Sequence, residues 1–201
     1  MSLDLIGLTV GTSFAAGLNV YATVATLGLL QRFGVVALPT PLEPLAHPLV
    51  IGVALFLYVV EFFADKLPFV DSIWDIIHTF IRPPAAAVLA FVAVTGVPEP
   101  WRIAAALLAG GIALTSHGTK TATRAAVNTS PEPVSNWSVS VLEDGVAIAL
   151  AWLAATHPIV TLGIVAVLFV ASIWVLTKLY RFLLWVFRGP TARAGRGGAA
   201  P

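Results

Sequence analysis

Six apolar runs, at residues 5–31, 48–65, 84–98, 103–127, 137–156 and 158–187, take up most of this 201-residue chain. About 20 residues at 1.5 Å each cross the hydrocarbon core of a bilayer, so a run of this length has lipid as its natural solvent. Only the third is too short to cross comfortably by itself. Strands are excluded by the pattern, because a membrane barrel alternates polar and apolar residues and these runs do not. The expectation is an all-α, polytopic bundle of about six transmembrane helices in one domain, residues 1–188, with halves at about 1–98 and 99–188. The small, basic stretch 189–201 reads as a disordered tail.

Composition agrees. The chain is 58% hydrophobic and 10% charged, against about 25% charged in an ordinary soluble domain. A net charge of +1 gives no case for nucleic-acid binding, and the absence of cysteine excludes disulfides, thiolate metal sites and thiol catalysis. The start, MSLDLIGLTV, carries Asp4 where a cleavable signal needs a cation. Lys178, Arg181, Arg188, Arg193 and Arg196 crowd the end of the chain, which places the C-terminus in the cytoplasm. With six spans the N-terminus follows it there, in the inner membrane of a cell.

Against this background the polar residues stand out. In SHGTKTATRAAVN, residues 116–128, His117, Lys120, Thr121, Arg124 and Asn128 share an arc of about 100° on one helical face. A lone cation at mid-bilayer costs about 2.5–3.5 kcal/mol on insertion scales, so Lys120 and His117 are expected to face a polar interior. Arg124 is close enough to the helix end to snorkel. Glu61 and Asp65 share a face of the second run, and Glu143 and Asp144 lie within the fifth, before Gly145, where the backbone could loosen. Buried acids need partners or protons, and Lys120 and Arg124 are the available countercharges.

A third set lies in PFVDSIWDIIHTFIRPP, residues 68–84. Asp71, Asp75, His78 and Arg82 step by four, three and four residues, within about 60° of a helix, while Phe69, Ile73, Ile76, Ile77 and Phe80 cover the rest. Such a helix either lies in the interface with its stripe in water, or is re-entrant and lines a cavity where Asp71, Asp75 and His78 take a proton or cation. No metal type is specified by the spacing, and no cofactor is expected. Asn19 and Tyr21 interrupt the first run after Gly17, and Asn19 reads as an interhelical hydrogen bonder. In 128–137, Pro131 and Pro133 would stop one helix and Ser135 or Asn136 would cap the next.

Segments 16–25, AGLNVYATVA, and 117–126, HGTKTATRAA, share a Gly followed by a polar residue in an Ala/Thr-rich run; YVVEFFAD and SVLEDGVA each carry a Glu one helix later. Two inverted three-helix repeats would follow, as in many secondary transporters. The stretches GLNVYATVATLGLL, VVEFFADKLPFVDSIWDIIHTFIRPPAAA and SHGTKTATRAAVNTSPEPVSNWSVSVLEDG also resemble an uncharacterised bacterial integral-membrane family, the domain of unknown function 4126. That resemblance covers nearly everything but the tail, implies a small polytopic membrane protein, and supplies no activity or site.

Function therefore rests on the charges. They point to a small transporter or channel-like protein that moves a small solute, anionic if Lys120 and Arg124 attract it, coupled to protons or cations through the acids. The rivals are a non-catalytic membrane scaffold or assembly factor, with the charges as internal glue, and a membrane-embedded enzyme acting on a lipid. No nucleophile elbow, Walker loop or dinucleotide fingerprint is present. The expected partners are the lipid bilayer and a small solute or ion, and small-residue patches such as Ala109–Gly111 would permit a homo-oligomer.

Overall fold

The computed structural model describes residues 2–127 and 133–187. Helices make up all of its regular structure, and no strand occurs among the described residues. They are α1 (Leu3–Leu18), α2 (Val20–Arg32), a 3-10 turn (Thr40–Ala46), α3 (Pro48–Ala64), α4 (Pro68–Thr79), α5 (Arg82–Ala93), α6 (Glu99–Val127), α7 (Pro133–Thr156) and α8 (Pro158–Phe187). By length and composition α7 and α8 can each cross a membrane. The bent pairs formed by the 3-10 turn with α3 (65°) and by α4 with α5 (41°) raise that number to four.

The first apolar run is where the expectation fails. It is not one span. Asn19 adopts an extended backbone, φ −153° and ψ 104°, and serves as C-cap of α1 and N-cap of α2. After it the chain turns back. Leu8 and Leu27, eleven residues before and eight after Asn19, meet in one apolar cluster with Ala93 and Ala154. A continuous helix would hold them about 28 Å apart. Nearer the turn, Ala16 and Val20 share a cluster with Ala86 and Ala113. The pair α1–α2 is therefore a helical hairpin with its apex inside the bundle.

Placement of the other helices follows from their contacts with this hairpin. Gly7 packs on the carbonyl of Pro158, so the start of α1 lies beside the α7–α8 turn. Gly118, near the C-terminal end of α6, faces Leu176 on α8, while Thr161 at the beginning of α8 lies by Gly11. Helix α8 thus ends at the opposite end of the bundle from the N-terminus. Asp144 sits eleven residues from the start of α7 and twelve from its end, so the apex that it contacts is about 17 Å from either end along that helix.

Small residues make this packing feasible. Helix α1 is buried on nearly every side and touches α5, α6, α7 and α8. Gly17 is required by close approach: a Cβ there would overlap the Ser116 hydroxyl and the Ala113 carbonyl. Surfaces facing outward are apolar, with Phe80, Leu107, Val167 and Trp174 among the exposed side chains, as a lipid-facing surface would be.

Further boundaries differ from expectation. Helix α6 runs unbroken through Lys120, so segment 117–126 does not repeat the break found in 16–25. Helix α7 is regular through Gly145 and opens on Pro133, where the missing amide proton costs nothing in the first turn; Ser135 and Asn136 are therefore inside it rather than caps. Asn128, Pro131 and the tail 189–201 lie outside the described residues.

Candidate functional site

Helices α3, α4, α6 and α7 and the hairpin apex bring their ionisable side chains to one place. Asn19 organises the apex. Its Oδ1 accepts from the amide of Ala22 (2.9 Å), capping α2, and its Nδ2 donates to Asp144 Oδ1 (2.9 Å) on α7. The break leaves the C-terminal carbonyls of α1 without helical partners, and cations take them. Arg82 Nη1 donates to the Gly17 carbonyl (3.2 Å), and Lys120 Nζ to that of Leu18 (3.4 Å).

Arg82 is wholly buried and holds three elements together. Its Nη2 donates to Glu61 Oε1 (2.7 Å) on α3, and its Nη1 also donates to His117 Nδ1 (2.7 Å) on α6. Because Nδ1 of His117 accepts, the ring hydrogen sits on Nε2. That nitrogen faces the Asp75 carbonyl (3.1 Å) and the Thr79 hydroxyl (2.9 Å), the latter itself donating to Asp75 O. His78 has the other tautomer: Nδ1 donates to the Trp74 carbonyl (2.8 Å) and Nε2 accepts from Tyr21 (3.1 Å).

Lys120 and Arg124, one turn apart on α6, close on Asp65, the C-cap of α3. Lys120 Nζ lies 2.7 Å from Asp65 Oδ2 and 3.5 Å from Glu61 Oε1. Arg124 donates from Nη2 to Asp65 Oδ2 (3.1 Å), from Nη1 to the Asp65 carbonyl (2.7 Å) and from Nε to Glu143 Oε2 (2.9 Å), with Asp71 Oδ2 3.8 Å away. Arg124 does not snorkel; it is 1% exposed. Just outside this group, in the α3–α4 connection, Lys66 donates to the Phe62 carbonyl and lies over the Phe62 ring, and desolvation there lowers its pKa from the ordinary lysine value.

The stripe on α4 and α5 is inverted relative to an interfacial helix. Asp71, Asp75, His78 and Arg82 are buried, whereas Ile73, Ile76, Ile77 and Phe80 are exposed. With α5 continuing beyond a 41° bend, the segment is half of a bent helix pair whose polar stripe faces the protein interior. Every sequence-predicted site residue within the described range, from Asn19 to Asp144, thus lies at or around the hairpin apex, with Asn19 and Asp144 bonded to each other beside the ion-paired network. Sequence reading did not single out Thr79 and Trp74, on the same α4 turn, whose hydroxyl and carbonyl fix the two imidazoles.

Charge does not balance. Among the described residues, Glu61, Asp65, Asp71, Asp75, Glu143 and Asp144 are six carboxylates, and Arg82, Lys120 and Arg124 are three ion-paired permanent cations, with Lys66 at the edge of the group. Beside this group lies a cavity of about 330 Å³ between α1, α6, α7 and α8. Its walls are mostly apolar, from Phe14, Leu142, Leu168 and Val175, and Lys120 and Glu143 are its charged lining residues.

A family model described as a domain of unknown function (DUF4126) matches residues 6–178, nearly the whole chain. No curated protein and no solved structure matches it. The chain belongs to the DUF4126 family.

Proposed function

We propose that this member of a family of unknown function is a small membrane transporter or channel-like protein whose buried charge cluster carries a coupling proton or cation. The observation that carries the reading is the surplus of acid: six carboxylates against three cations, about halfway along the bundle, at the apex of a helical hairpin. Ion pairs added only for stability would be balanced, and even balanced pairs rarely improve on apolar packing. A surplus of buried anions needs protons or a cation to neutralise it, and a group able to take up and release charge is what coupling requires. Helix breaks that present carbonyls and side chains to an ion at mid-depth are the usual construction of such sites.

An anionic group on a solute would meet Lys120 at the wall of the 330 Å³ cavity, and the solute's apolar part would lie against Leu142, Leu168 and Val175. In this reading α3, α4–α5, α6, α7 and α8 each pass from end to end, and the α1–α2 hairpin enters and leaves on one side. The basic C-terminal end is cytoplasmic, and the N-terminus lies across the membrane from it.

Purified protein in liposomes, screened for solute and ion flux with and without a pH gradient, tests the function. Glu61→Gln and Lys120→Ala are each expected to lower the detected flux at least about tenfold, the effect of losing about 1.4 kcal/mol in the limiting step. Wild-type flux in both variants would remove the assignment.

One observation favours the scaffold reading: all three permanent cations are ion-paired, Arg124 with Glu143 and Asp65 and Lys120 with Asp65. Exchanging the charges of Arg124 and Glu143, each to the other, separates the two. Recovery of both folding and flux would mark the pair as structural glue, while recovered folding without flux keeps it in the site.

A further inference from the structure

We infer that Asp65, Asp71 and Asp75 form a binding site for a hard divalent cation. One oxygen from each lies within 4.8 Å of the others, and all three side chains are buried. The site is built from the C-cap of α3 and from two residues one turn apart on α4, so two helices and the connection between them fix its geometry.

Proximity of acids would not by itself make a site. The second observation is what the oxygens lack. Both carboxylate oxygens of Asp75, 1% exposed, and Oδ1 of Asp65 are buried and accept no hydrogen bond among the described residues. Lys120 and Arg124 both approach Asp65 through Oδ2, which leaves Oδ1 without a donor among the described residues, and Arg82 comes only within 3.9 Å of Asp75. A buried carboxylate stripped of donors is costly unless something positive sits against it.

Chemistry selects the ion. The donors are all carboxylate oxygens, which suit calcium, magnesium and manganese rather than thiophilic metals. Two ligands opposite each other on Ca²⁺ stand about 4.6–5.2 Å apart, from bonds of about 2.3–2.6 Å, so a spread of up to 4.8 Å is on the scale of that ion's coordination shell. A divalent ion also reduces the surplus from three negative charges to one. This deepens the functional reading by naming the ion class that the cluster takes, and it depends on that reading only for the premise that the cluster takes up positive charge.

The test uses the full-length protein in detergent, stripped with a chelator and titrated with Ca²⁺ by calorimetry, with thermal unfolding in parallel. Wild-type protein is expected to show saturable one-to-one binding and a melting temperature about 5 °C higher at a hundredfold excess over the dissociation constant. Asp75→Asn should lose the binding and the shift, whereas Glu99→Gln, at the far end of α6, should keep both. Asn at 75 removes a buried charge that accepts no hydrogen bond among the described residues, so the variant is expected to fold; Asp71→Asn in the same titration guards against its not doing so. Absence of saturable Ca²⁺ binding to wild type, or unchanged binding in both variants, overturns the site. Flux without Ca²⁺ binding overturns the site and leaves a proton as the coupling ion. Ca²⁺ binding without flux supports the site and removes the transporter reading.

Discussion

Asn19 makes two bonds from one side chain, a cap to the Ala22 amide through its oxygen and a donation to Asp144 through its nitrogen. Asn19→Ala removes both and is expected to cost about 1–3 kcal/mol, read as a lower melting temperature in detergent. Asn19→Asp keeps the cap but opposes two carboxylates, and should be at least as damaging. Adding Asp144→Asn restores donor and acceptor with their roles exchanged, so the double variant should recover most of the loss. Additive losses would show that the bond contributes nothing. Sequence could identify Asn19 as a buried hydrogen bonder because it is a lone amide in an Ala/Thr-rich run. It could not supply the partner, which lies 125 residues away. For the same reason Lys120 and Arg124 read only as the available countercharges, and it is the structure that gives Glu143 to Arg124 and Lys120 to Asp65.

Among the elements, the hairpin and α4 were legible to different degrees. An apolar run such as 5–31 looks the same whether it crosses or turns back, since lipid and protein interior reward the same side chains. Only Gly17 and Asn19 marked the turn. Gly17→Ala is expected to push α1 away from α6, costing about 1–3 kcal/mol, because Ala113 meets the new Cβ with backbone that cannot yield. Ser116→Ala should restore only part of the loss. In α4 the polar stripe was explicit in the spacing, but amphipathicity does not say which face is wet. The structure turns the polar face inward, so Ile76, 64% exposed, points outward, where the proposed arrangement puts lipid. Ile76→Lys should therefore impair membrane insertion by about 2.5–3.5 kcal/mol, while Ile76→Leu should be neutral. Equal tolerance of Lys would place α4 at the water interface after all.

At the scale of the whole molecule, the proposed arrangement of five end-to-end passages and one hairpin would put the N-terminus and the end of α8 on opposite sides of the membrane. Six apolar runs read as six spans imply the same side, and the hairpin is what separates the two arrangements. Since the chain has no cysteine, single replacements such as Ser2→Cys and Ala200→Cys can be labelled without a background. An impermeant maleimide applied to intact cells should reach the first and miss the second. Labelling of both or of neither would restore an even number of crossings. The charge network adds a constraint on how the chain is made. Glu61, Asp65, Asp71 and Asp75 all leave the ribosome before Lys120 and Arg124, so for a time four acids have only Arg82 and Lys66 as nearby cations among the described residues. A nascent chain halted at residue 98 is thus obliged to keep its acidic segments near water, or to protonate them, until α6 arrives. It should be extracted by alkaline carbonate, while one extended past residue 127 should resist.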